Sequence, residues 1–237
     1  MRRFFRGLTT ALLLLTAVTV AACGDKEAEQ RKAFVAFLQT RIVDKPGLHV
    51  PQLTPDERTS FGPYADQYAV ITGFHDTMNK QVAPQIAETF SKGSFQSIGD
   101  LVTRRDDIAA ARTMLNNLGG ALDGALATAD SSHAALKQPD DVKPVFDQAY
   151  DRTISQVATT FRGVVPVTDK VFGEALDLAD YIDAHKKSIT LSGPMPQVSD
   201  AKVLAELNGK LQTLQKDQVA VQQAYLTFSR LISGAGQ

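Results

Sequence analysis

The chain has 237 residues, 25 Lys and Arg against 26 Asp and Glu, a net charge of −1 at neutral pH and one cysteine. That near-balance excludes the basic footprint of a nucleic-acid binder and a surface held to anionic lipid by charge alone. One cysteine excludes an internal disulfide, and the absence of Trp argues against a carbohydrate-stacking site.

Arg2, Arg3 and Arg6 open the chain, an apolar run follows from Leu8 to Val20, and Ala21 and Ala22 stand before Cys23. A charged start, a short apolar core and small residues at its end are the layout of a secretory signal. The run falls short of the roughly 20 residues that cross a bilayer as a helix. The tetrad Val20-Ala21-Ala22-Cys23 resembles the bacterial lipobox, which marks a cysteine for diacylglyceryl attachment and cleavage before it. Residues 1–22 are therefore read as a lipoprotein signal peptide, and 23–237 as one helical periplasmic domain anchored through acyl chains on Cys23. Removing the signal, which carries three Arg and no acid, takes the net charge from −1 to −4. Gly24 after the cysteine resembles an outer-membrane address, so the expected location is the periplasmic face of that membrane.

Helix is predicted almost at once after Cys23. Phe34, Phe37, Leu38 and Ile42 follow the 3-4 spacing of one helix face, with acids at the start and Arg41 near the end. "TPDE" at 54–57 predicts a second start, with Thr54 as cap, Pro55 in the first turn and Glu57 closing a capping box. A long helix over about 64–91 follows, with Tyr68, Ile71, Phe74, Met78, Val82 and Ile86 as its stripe and a kink at Pro84. Residues 92–103 read as irregular connection.

From Arg104 to Lys137 the apolar positions Ile108, Ala111, Leu115, Leu118, Leu122, Ala125 and Ala129 step by 3 and 4 without a break, a seam for another helix. Asp140 or Asp141 is expected to cap the next helix, which carries Val145, Phe146, Ala149, Thr153, Val157 and Phe161. A separate helix is expected over about 168–187, and 188–198 allows one short β-hairpin turning at Ser192-Gly193 with prolines keeping it at an edge. The last helix, from Ser199 to about Ser233, steps through Leu204, Leu207, Leu211, Leu214, Gln218, Val221, Tyr225, Phe228 and Ile232, with Gln218 the polar member that would fix register. The expected fold is all-α, an elongated antiparallel bundle of five to seven helices.

Three stretches carry a family resemblance: "DKEAEQRKAFVAFLQ" after the cysteine, "LTPDERTSFGPYADQYAV" at 53–70 and "SHAALKQPDDVKPVFDQAY" at 132–150. In this order they are similar to the YiaF-like family of proteobacterial lipoproteins of unknown function. The resemblance implies a shared lipoprotein fold and brings no activity and no catalytic residues to transfer.

The residues themselves offer little chemistry. His49, His75, His133 and His185 form no His-Glu-x-x-His set. Asp130 and His133 share a helix face, as two metal ligands would, but a capped or solvated pair explains them better. Asp177, Asp180 and Asp183 with His185 read as a solvated acidic side, since a calcium loop needs a Gly at its bend. Gly119, Gly120 and Gly124 match no phosphate loop and suggest close helix approach or local bending. No catalytic residue, metal or cofactor is expected. The leading reading is a lipid-anchored envelope protein that is non-enzymatic and binds another protein or serves a structural role. A small-molecule or lipid-binding bundle is the alternative, with a cavity between Phe- and Leu-rich helices. A hydrolase or metal site comes third and would require distant residues such as His75, His133 and Asp177 to converge.

Overall fold

Spaced apolar residues decide which face each helix buries, and the buried faces assemble end to end. The computed structural model describes residues 25–192 and 196–234, which form seven helices. Helix α1 covers 25–38 and runs on through a π-helical turn, Gln39–Val43. Phe34, Phe37, Leu38 and Ile42 are all buried, as their spacing predicts.

Helix α2, Pro55–Phe61, starts with the predicted capping box: Glu57 N donates to Thr54 Oγ1 (3.2 Å) and Thr54 N to Glu57 Oε2 (2.8 Å). Helix α3 comprises Tyr64–Thr77, a π-helical turn at Met78–Val82, and Ala83–Gly93. The interruption expected at Pro84 is this widened turn, placed just before the proline. Pro84 has no N–H to give, and its ring crowds the preceding turn, so loosening that turn keeps the helix going.

The expected irregular stretch at 92–103 contains a helix, α4, Ile98–Thr103. Ser97 Oγ accepts from Asp100 N (3.0 Å), and Asp100 Oδ2 accepts from Gln96 N (2.9 Å), a reciprocal cap. Arg104 then turns back on α3, donating to the carbonyls of Ser91 (3.1 Å), Lys92 (3.2 Å) and Ser94. These are carbonyls that the end of a helix leaves open.

Helix α5 is Arg105–Ala134. Helix α6 comprises Lys143–Tyr150, a π-helical turn at Asp151–Ser155, and Gln156–Ala184. The start and the continuity of α6 both differ from the expected ones. No Asp side chain caps α6: Pro139 O accepts from Val142 N and Lys143 N, while Asp141 pairs with Arg31 of α1 at 3.1 Å. Nor is there a break between 161 and 168. The buried stripe Val157, Phe161, Val164, Thr168, Val171, Ala175 and Leu178 steps across Pro166, and packing keeps the helix continuous despite the lost hydrogen bond.

Strands β1 (Ile189–Thr190) and β2 (Gln197–Val198) pair antiparallel, with Ile189 opposite Val198. Gly193 and Pro194 of the expected turn lie outside the described residues. Helix α7, Ala201–Ser233, starts at Asp200, whose Oδ1 accepts from Lys202 N (2.8 Å) and Val203 N (3.0 Å). It runs antiparallel to α6 and ends at Gly234, beside the loop after α1, where Leu48 N donates to Ile232 O (2.9 Å).

The core has two parts in succession. One is aromatic, joining α1, α2, α3 and the facing ends of α5 and α6; Phe34 meets Phe61, Tyr64 and Phe146 at ring distances of 5.6, 5.7 and 6.3 Å. The other is aliphatic apart from Phe172, and joins α4, α7 and the opposite ends of α5 and α6. Helices α5 and α6 span both parts, so the all-α bundle is elongated. Gly93 lets α3 meet α6 closely: a Cβ there would lie 2.3 Å from the Phe172 ring. Among the described residues, no helix is long and apolar enough to cross a membrane.

Candidate functional site

Packing of the two cores leaves open surfaces between neighbouring helices. A trough of about 510 Å³ lies between the first stretch of α3 and the second half of α5. Ala69, Gly73 and Thr77 line one wall, Ala121, Gly124 and Thr128 the other, and Phe74 helps to form the lining. No charged side chain lines it. Its hydroxyls are turned back on their own helices: Thr77 Oγ1 donates to Gly73 O (3.0 Å), Thr128 Oγ1 to Gly124 O (2.9 Å) and Ser132 Oγ to Thr128 O (2.9 Å). The trough therefore offers small apolar contact and few free hydrogen bonds. Gly73 and Gly124 have nothing within 4 Å of where a Cβ would sit. Such a surface accepts the ridge of another helix far better than a polar ligand.

A second feature lies between α6 and α7. Lys170 Nζ stands 2.8 Å from Asp217 Oδ2 and 3.7 Å from Glu174 Oε1. Burial first, and then the neighbouring Asp217, push the Glu174 carboxyl above the ordinary range. Hydrogen bonds to Lys170 and then Glu174 hold Asp217 below it. A groove of about 500 Å³ continues from Glu174 past Asp177, Glu206 and Lys210.

The other singled-out residues are engaged in holding the fold. His75 Nε2 donates to Thr153 O at 2.9 Å. Thr153 sits in the π-helical turn of α6, and because its carbonyl can only accept, Nε2 carries the proton. Asp130 and His133 are not partners of one another. Asp130 accepts from Tyr150 OH (2.6 Å), while His133 Nε2 meets Asp147 Oδ1 (2.8 Å) and its ring stacks on Tyr150 at 4.1 Å. Lys143 takes the other oxygen of Asp147 at 2.7 Å. Burial works to raise Asp147 and is outweighed by its bonds from Lys143 and His133, which hold it below the ordinary range. This network ties the end of α5 to the start of α6.

Asp180 takes Arg105 with both oxygens, Asp183 pairs with Lys186 at 3.5 Å, and Asp177 lines the α6–α7 groove. The three acids are exposed, as a solvated side should be. His185 stacks on Tyr181 at 4.1 Å and His49 is exposed. His75 and His133 attach to the aromatic half of the molecule and Asp177 to the aliphatic half, so these three residues do not converge. Of the close helix approach or local bending expected at Gly119, Gly120 and Gly124, close approach is not found: a Cβ at Gly119 would touch only Val165 at 3.9 Å, and the other two face open space. Val20, Ala21, Ala22 and Cys23 lie outside the described residues.

Gln218 was expected in the α7 seam and is exposed; Asp217, one position earlier, is the buried polar residue. The leucine stepping leaves the adjacent positions 217 and 218 equally open, and a charged Asp would be assigned outward on its own. Its partner, Lys170, lies too far away in sequence for any local pattern to reveal.

A family model described as "Protein of unknown function (DUF3053)" matches residues 11–229. The match thus extends beyond the stretches quoted above into α7. The chain is similar to the "Uncharacterized protein YiaF" of Escherichia coli (strain K12) and to that of Shigella flexneri, each 30% identical over 215 residues, covering 90% of this chain and 91% of the relative. No solved structure matches the chain. With a model match over most of its length and relatives aligned nearly end to end, the chain belongs to this YiaF-like family of unknown function.

Proposed function

We propose that the protein is a lipid-anchored envelope component without catalytic activity, which holds another protein at the periplasmic face of the outer membrane. The observation that carries this reading is the trough between α3 and α5, open, uncharged and shaped for a helix. The engaged state of His75, His133 and His185 supports it, since these side chains are used in packing the bundle. The anchor rests on Cys23 at the end of its apolar run. Each buried methylene of an acyl chain contributes about 0.8 kcal/mol, and two chains or more hold stably where one does not. Helix is already present at residue 25, so the domain would stand close to the membrane.

The test is photo-cross-linking in intact cells, with the probe at Gly73 or Gly124 and a control probe at exposed Gln212 of α7. One protein should be captured from both trough positions and not from Gln212, and its capture should fall when Cys23→Ala removes the anchor. Gly124→Arg should abolish capture while leaving stability unchanged or raising it by up to about 1 kcal/mol, because Gly is a poor helix former and the position faces open space. Equal capture from trough and control positions, or capture that survives Gly124→Arg, would overturn the reading.

A further inference from the structure

We propose that Lys170, Glu174 and Asp217 form a proton-operated clasp that tightens α7 on α6 in mild acid and loosens it as the pH rises. Helix α7 packs on α6 through the buried Leu207 and Leu214, with Val203, Leu211 and Val221 partly buried beside them, and Asp217 is its one buried polar residue among those described. The polar contact thus sits inside the apolar seam, between Leu214 and Val221, where an unbalanced charge is costly.

Asp217 is 9% exposed. From α6, Lys170 reaches both carboxyl groups, and Glu174 lies within hydrogen-bonding reach of Asp217. Glu174 Oε2 and Asp217 Oδ2 are both closed off from solvent, and neither accepts a hydrogen bond among the described residues, although Lys170 Nζ stands 2.8 Å from Asp217 Oδ2 as an ion pair. With both acids ionised, two negative charges face one ammonium, and Glu174 Oε2 is a buried charged atom without a partner. With a proton on Glu174, its hydroxyl donates to the Asp217 carboxylate, which also keeps Lys170. The cluster is then neutral and its buried oxygens are satisfied, the less costly state away from water.

Other charges around the cluster act on the same balance. On α6, Asp177 faces the groove shared with Glu174, and Asp169 is already taken by Arg112 of α5 at 2.8 and 3.0 Å. Arg112 also attends Asp177 and lies along Gly173. On α7, Lys216 favours ionised Asp217, while Glu206 and Lys210 line the groove beyond. Lys210 stands over the Tyr181 ring at 5.5 Å. Glu206 and Asp177 share the groove with Glu174.

The directions of the two shifts agree with one shared proton. Burial and then Asp217 raise Glu174, so its contribution to holding α7 is full below the ordinary glutamate range and is lost as pH rises through the raised value. Asp217 is lowered, so its contribution is present above the ordinary aspartate range and is lost as pH falls through the lowered value. The clasp is tightest in the ordinary carboxyl range and weakens above it. Loosening is confined to the middle of α7, because the Asp200 cap holds one end and the Phe161–Phe228 and Leu48–Ile232 contacts hold the other.

Amide hydrogen exchange of the mature chain, corrected for the intrinsic rate at each pH, tests this over residues 207–221. Protection in the wild type should fall by up to about tenfold per pH unit above the ordinary glutamate range and then level off once Glu174 is ionised. Glu174→Gln, whose amide donates permanently to Asp217, should keep the acid level of protection throughout. The Glu174 carboxyl carbon, followed by NMR in the unmodified protein, should titrate over the same window as the loss of protection. A flat wild-type profile, an unchanged pH profile in Glu174→Gln, or a Glu174 carboxyl titrating at its ordinary value would each overturn the proposal.

Discussion

Burial holds the His75 imidazole below its ordinary pKa, partly offset by its hydrogen bond to Thr153 O. The unfolded chain therefore binds a proton more readily than the folded one, and His75 contributes stability that is present above the ordinary imidazole range. That stability is lost as the pH falls through the lowered value. Urea unfolding at stepped pH should show wild-type stability declining on acidification across this window. In His75→Gln, which keeps a donor for the carbonyl but has no charge to gain, the decline should be absent over the same steps. An identical slope in the two proteins would mean that other groups cause it. His75 stands next to Phe74 of the apolar stripe, so a structural role is legible in the sequence. Its partner is not, because Thr153 lies 78 residues away and its carbonyl is reached through a π-helical turn that no sequence pattern announces. Asp217 stayed hidden for a related reason, since only Lys170 and Glu174 on another helix make its burial tolerable.

Among the elements, the closing contact of α7 rests on two glycines meeting backbone to backbone. Gly47 and Gly234 have φ of +72° and +74°, and a Cβ on either would come within 2.7 Å of the other's backbone. Gly47→Ala or Gly234→Ala should each cost about 1–3 kcal/mol through the left-handed backbone and the clash together. Thermal unfolding measures the loss. Because each added methyl meets the other glycine, the double variant should depart from the sum of the single ones. Strict additivity with small losses would mean that the contact does not hold α7. The helices with long 3-4 stripes or strong caps were legible in advance: α1, α2, α5 and the extent of α7. Helix α4 was not, because six residues give fewer than two turns of pattern and Gly99 stands among them. The continuity of α6 through Pro166 was missed as well. Buried residues on both sides of the proline hold the helix together, and the partners they pack against lie on other helices.

At the scale of the molecule, two cores share the spanning helices α5 and α6, and the clearest uncharged trough lies on the α3–α5 side, away from the α6–α7 clasp. Periodicity predicted a long bundle, but the division of the core and the trough depend on how helices distant in sequence pair. The sequence carries the reverse strength at its start, where Val20-Ala21-Ala22-Cys23 closes a signal-like run and α1 follows within two residues. The proposed action at a membrane depends on that short segment more than on any part of the bundle. The most direct measurement is the intact mass and N-terminal peptide of the protein extracted from isolated outer and inner membranes. A chain beginning at Cys23, carrying a thioether-linked diacylglyceryl group and an N-acyl chain and recovered in the outer-membrane fraction, is the predicted result. A chain that retains residues 1–22, or one with an unmodified Cys23, would contradict it.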